Sequence, residues 1–171
     1  MTHFGDILKG GDLRSIGKSN KVVSLVDNQE SFDDLFQHLF HSDRKVVMRT
    51  ADAIEKITLN NADYLKPHKK EILQLYTKAE NKELKWHLAL LAPRLLLSKQ
   101  ELGKVWQTLS NWATDKKESR IVRVNSLQGL FNLLTQSKEM TKNFHLTLSE
   151  IENENIPSLN ARILKLKNAS R

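Results

Sequence analysis

The chain has 171 residues, 39% hydrophobic and 27% charged, with a net charge of +7 and no cysteine. That composition suits a soluble helical protein with one continuous core, and six glycines with three prolines leave long windows free of helix breakers, against a β-rich chain. Without cysteine there is no disulfide or thiolate metal site, and the longest apolar run, residues 88–97, is interrupted by Pro93 and Arg94 and too short to span a bilayer.

Residues 1–10 carry Asp6 and lack the apolar stretch of a signal sequence, so a cytoplasmic protein with no membrane association is expected. The positive charge is dilute. Residues 1–30 balance, 31–60 carry −1, 61–100 carry +4, and the two remaining stretches +2 each. Arg162, Lys165, Lys167 and Arg171 make a purely basic end, but no polybasic arm is present.

Taken in order, a short helix is predicted near His3 to Lys9, stopped by Gly10-Gly11, and Asp12 to Lys18 reads as a tight turn. Ser19 reads as the N-cap of a short helix with Val22, Val23, Leu25 and Val26 on its apolar side. A further helix begins near Glu30-Ser31, with Phe32, Leu35, Phe36, Leu39 and Phe40 inward, and another runs from about Asp43 to Asn60. Two kinds of helix then alternate. The first kind covers residues 66–78, 99–113 and 141–152; the second covers 82–97, 120–136 and 158–168.

The second kind is written repeatedly. Asp43-Arg44-x-Val46-x-x-Arg49-x-Ala51 is echoed from Asn81, from Ser119 and, more weakly, from Ile156, in steps of 38, 38 and 37 residues. A fixed period of this size marks a solenoid of stacked helix pairs. Asp43, Asn81 and Ser119 are N-cap residues. Three aligned columns lie at i, i+7 and i+11, one stripe of a helix: Val46, Leu84, Val122, Leu159; then Ala53, Leu91, Gly129, Leu166; then Ile57, Leu95, Leu133. These are the predicted core. Ala51 and Ala89 sit where neighbouring helices would approach closely, and Pro93 should kink its helix by removing the bond to the Ala89 carbonyl.

The cap and basic pattern, with Asp43 and Arg49 six apart and the pairs Asn81/His87 and Ser119/Asn125 at the same spacing, resembles a HEAT repeat over about residues 31–169. The stretch Gly10-Gly11-Asp12-Leu13-Arg14-Ser15-Ile16-Gly17, followed by Val22-Val23, is similar to the opening of a group of small microbial HEAT-like proteins. The resemblance implies an all-α fold: a short right-handed α-solenoid of about four helix pairs behind N-terminal capping helices. It also implies a hydrogen-bonded ladder between repeats and second-kind helices on the concave surface. Residues 1–171 are then one domain, with a cap at 1–30 and repeats at 31–62, 63–98, 99–137 and 138–169.

No catalytic set emerges. Gly17-Lys18-Ser19 falls short of a phosphate loop because the Gly needed five positions earlier is Asp12. His38 and His41, with Asp34 a turn before, lack further ligands for a metal. Trp112 and Asp115, a turn apart, resemble the aromatic and acidic pair of HEAT-like alkylpurine DNA glycosylases, though Trp106 and Trp112 also read simply as core aromatics. Neither a cofactor nor a small-molecule substrate is called for.

The informative feature is apolar. Trp86, Leu90, Pro93, Val124 and Phe131 occupy second-kind helix positions outside the core columns. They read either as a partner groove or as side chains that cover one another or, on a rotated helix, belong to the core. The expected function is a non-enzymatic scaffold that binds a protein partner through this concave face. Trp86, Leu90, Val124 and Phe131 would anchor it, and Arg44, Arg49, Lys82, His87 and Arg120 would orient an acidic partner. The alternative is a nucleic-acid-binding protein, with or without glycosylase-like repair chemistry.

Overall fold

In a computed structural model that describes residues 4–10 and 17–169, the described residues form ten α-helices joined by turns and short 3-10 segments, with no strand. They divide into two compact units, the first ending at His68 and the second beginning at Lys69.

In the first unit, α1 (Phe4–Leu8), α2 (Gly17–Val23) and α3 (Gln29–Gln37) each pack on α4 (Arg44–Ile57). Asn28 caps α3 through a capping box with Ser31. Phe32, Leu35, Phe36 and Leu39 are buried as the pattern requires, whereas Phe40 closes the following 3-10 turn and is 53% exposed. Ser19 is not a cap. It lies inside α2, fully buried, donating to the Asp52 carboxylate, while Lys56 Nζ bonds Asp52 at 2.6 Å and Asn20 at 2.8 Å. The stretch from Gly11 to Ile16, including Asp12 of the rejected phosphate loop, lies outside the described residues.

The second unit alternates α5 (Lys69–Lys78), α6 (Lys82–Leu91), α7 (Lys99–Thr114), α8 (Arg120–Leu133), α9 (Thr141–Glu152) and α10 (Pro157–Ala169). The contacts sort these into two layers. One is α5–α7–α9 and the other α6–α8–α10, with α5 on α6, α7 on α8 and α9 on α10 between them. An amphipathic helix pair leaves its stripe uncovered until the next pair stacks on it, and this arrangement supplies the cover. All eleven residues of the three predicted columns are buried.

Two local details differ from expectation. Pro93 ends its helix instead of kinking it: α6 stops at Leu91 and a 3-10 turn runs over Ala92–Arg94. The side chain of Gln136 then holds the exit, donating to the Pro93 and Leu95 carbonyls at 3.1 and 2.9 Å and accepting from the Leu97 N–H at 3.1 Å. Asp43 and Ser119 cap α4 and α8 through their side chains, but Asn81 takes the cap position of α6 without a side-chain bond.

Candidate functional site

The polar column of the repeat looks inward and backward. Arg49 is fully buried, and its Nη1 donates to the carbonyls of Leu8 and Gly10 at 2.5 and 2.6 Å, at the C-terminal end of α1. A cation there satisfies carbonyls that the helix leaves open. Gly10 supports this turn with φ of +72°, a conformation that costs glycine little. Asn125 Nδ2 on α8 donates to the Trp86 carbonyl of α6 at 3.2 Å, and Arg162 Nη1 on α10 donates to Gln128 Oε1 of α8 at 2.5 Å. Each donor therefore grips an element about one repeat earlier in its own unit.

This geometry corrects part of the predicted surface. Arg49 and His87 are both buried, His87 at 5% exposure, so neither can meet a partner in solution. The Arg49 guanidinium serves the packing of α4 on α1, and the His87 ring lies 5.5 Å from that of Trp86. Arg44 is exposed at the first turn of α4 and belongs to the first unit.

The remaining predicted residues come together in the second unit. Lys82 and Arg120 are exposed at the first turns of α6 and α8, which are adjacent. Trp86 and Leu90 follow Lys82 on the outward side of α6; Val124 and Phe131 follow Arg120 on α8. All four apolar side chains, and Pro93 with them, are half-buried, between the two readings of the sequence. The Phe131 ring lies 5.9 Å from that of buried Phe144 on α9, and the Trp86 ring 5.5 Å from that of buried His87. Ile121, which pattern reasoning passed over, joins the surface at 45% exposure. Its column contains Glu83, which is buried on α6, so the aligned positions gave no signal for it.

Charge separates the units and then the layers. Residues 1–68 hold nine Lys and Arg against ten Asp and Glu, a net −1; residues 69–171 hold eighteen against ten, a net +8. Within α6, α8 and α10 there are seven Lys and Arg but a single carboxylate, Glu83, which is buried. Helices α5, α7 and α9 carry six Lys and Arg with four glutamates. Several cations of the α6–α8–α10 layer are compensated. Lys85 pairs with Glu118, Lys167 with Glu152, and buried Arg123 holds Glu154 through two bonds of 2.9 and 2.8 Å while its Nε donates to the Ala113 carbonyl at 2.7 Å. The Arg123 hydrogen bonds keep the Glu154 carboxyl below its ordinary range despite opposing desolvation. Lys82, Arg120 and Lys165 are exposed and make no ion pair among the described residues.

The other candidate groups are occupied locally. Trp112 is buried and stacks on Tyr76 with centroids 5.2 Å apart, and Lys85 Nζ lies 5.6 Å from its ring centre, so no base could reach that ring. Asp115 accepts from the Lys117 N–H at 2.8 Å. Tyr76, its hydroxyl pushed well above the usual range by burial, donates to the Leu88 carbonyl at 2.7 Å. His38 Nδ1 lies 3.0 Å from the Asp34 carbonyl, and His41 accepts from the Asp43 N–H at 2.9 Å. Among the described residues no group of three or more His, Asp or Glu is placed to hold a metal, and no helix is long and apolar enough to cross a membrane.

Comparison with family models matches residues 12–167 to a HEAT repeat domain. Comparisons with curated proteins and with solved structures find no match.

Proposed function

Because the chain belongs to the HEAT repeat family, we propose that it is a non-catalytic scaffold whose second unit binds a protein partner on the outward side of α6 and α8. One observation carries the reading: Trp86, Leu90 and Val124 stay partly open to solvent on adjacent helices whose core columns are completely buried. Side chains of this kind, desolvated at the centre of an interface and rimmed by Lys82 and Arg120, supply most of the binding energy in protein complexes. Fold membership alone assigns no chemistry, and the reading rests on the surface.

The test compares partners captured by the full chain and by a Trp86→Ala/Val124→Ser variant of matched thermal stability. A variant that retains every partner of the parent removes this surface from consideration.

Nucleic-acid binding is the second reading, and the net +8 of residues 69–171 favours it. It requires duplex or single-stranded binding that weakens steeply with salt and is lost in Lys82→Glu/Arg120→Glu. Flat fluorescence anisotropy at low salt with both nucleic acids would eliminate it.

A further inference from the structure

We infer that the occupant of the α6–α8–α10 surface is an acidic polypeptide segment interspersed with large apolar side chains; this rests on the partner-binding reading above and names the partner's chemistry. Charge placement is the first indication. A solvated helix surface ordinarily mixes both signs, as α5, α7 and α9 do. In α6, α8 and α10 the only carboxylate is buried, and the exposed ionised groups are Lys82, Arg120 and Lys165. No carboxylate of these helices would repel an approaching acid, and three cations await counter-charges that the described residues do not provide.

The small number of these cations separates a polypeptide from a nucleic acid. Protein–duplex complexes of ordinary strength neutralise roughly 6–10 phosphates. This layer offers three unpaired cations, and the same helices carry Trp86, Leu90 and Val124 half-buried and Ile121 exposed. A phosphate backbone gains little from apolar neighbours. An acidic segment with its own apolar residues gains from both: carboxylates meet Lys82, Arg120 and Lys165, and its apolar side chains cover Trp86, Leu90 and Val124. Like-charged segments are rejected by the same three cations, so the surface selects by sign as well as by hydrophobicity.

The experiment uses the full chain and three fluorescent peptides about five turns long. One places leucine at i, i+3, i+4 and i+7 spacing among glutamates; the second replaces glutamate with lysine; the third replaces leucine with serine. A duplex DNA of similar length is the fourth probe. The Leu/Glu peptide should bind at least about tenfold more tightly than the other three probes. Its affinity should fall at least about tenfold in Lys82→Glu/Arg120→Glu/Lys165→Glu, and also on raising salt from about 50 to 200 mM.

Equal binding of the Leu/Glu and Leu/Lys peptides, both lost in Trp86→Ala/Val124→Ser, overturns the charge selection while leaving the surface as a partner site. Binding that survives both sets of substitutions overturns the location, and with it the proposed function. Tighter binding of the duplex transfers the surface to nucleic acid. No binding of the Leu/Glu peptide overturns the inference, and the capture experiment then decides the scaffold reading separately.

Discussion

Gly129 on α8 lies directly against the backbone of Ala89 on α6: a Cβ at position 129 would overlap the Ala89 carbonyl oxygen and stand 3.1 Å from Leu109 Cδ1. The close approach is made by absence of a side chain, and the obstructing atom is backbone, which cannot rotate away. Gly129→Ala should therefore lower stability by about 1–3 kcal/mol through overpacking. Gly103, inside α7, has nothing within 4 Å of its would-be Cβ. Gly103→Ala should raise stability by roughly 0.5–1 kcal/mol from helix propensity alone. Denaturant unfolding of the two variants, one falling and one rising, checks both claims.

Much of this packing is legible in the amino-acid sequence. The period aligned Val122 with Leu84 and Gly129 with Leu91 because stacking forces equivalent positions into equivalent surroundings, and the buried columns follow. Three kinds of residue escaped. Arg123 gives no signal of its own, since its role depends on Glu154 returning from another turn, 31 residues away. Gln136 gave no signal because its task, holding the strand of backbone beyond Pro93, exists only once that helix has ended. Arg49 and His87 read both as rungs of a ladder and as groups orienting a partner, and the pattern does not choose, whereas in the fold the Arg49 guanidinium is occupied with carbonyls 39 and 41 residues earlier. The apolar surface was recognised as unusual, but its degree of burial depends on side-chain geometry that a periodic pattern does not encode.

Arg123 is 2% exposed, bidentate to Glu154 and bonded to the Ala113 carbonyl at the end of α7. Arg123→Ala removes three hydrogen bonds, leaves Glu154 without its counter-charge and opens a cavity. A loss of about 3–5 kcal/mol is expected. The measurement is a urea midpoint that moves without a change in slope.

The same pair sets a pH dependence. Glu154 is held below its ordinary value in the folded chain, chiefly by hydrogen bonds from Arg123, so folding favours the deprotonated carboxylate. Its stabilising contribution is complete above about 4.3, the ordinary glutamate value, and drains away as pH falls through the depressed one. Glu154→Gln should be less stable than the parent at neutral pH, and the difference between them should shrink in acid. Thermal melts across that range would show parallel curves if the coupling were absent.

Gln136 makes three bonds to the backbone that follows α6. Gln136→Ala should cost about 1–3 kcal/mol, because the Pro93 and Leu95 carbonyls and the Leu97 N–H lose a half-buried partner. Hydrogen exchange at Leu97 is the specific readout: its amide should lose protection more than those within α6.

The backward reach of Asn125 and Arg162 gives the second unit a direction of unravelling. Letting go of α10 surrenders the Arg162 bond to Gln128 and the Lys167 pair with Glu152, whereas letting go of α8 forfeits the Arg162 bond, the Asn125 bond to Trp86 and the three Arg123 bonds together. In a stack whose members touch only their neighbours, opening events nearest the tail are then the least costly. Amide protection should climb from α10 through α8, so that transient loosening at the tail leaves α6 undisturbed.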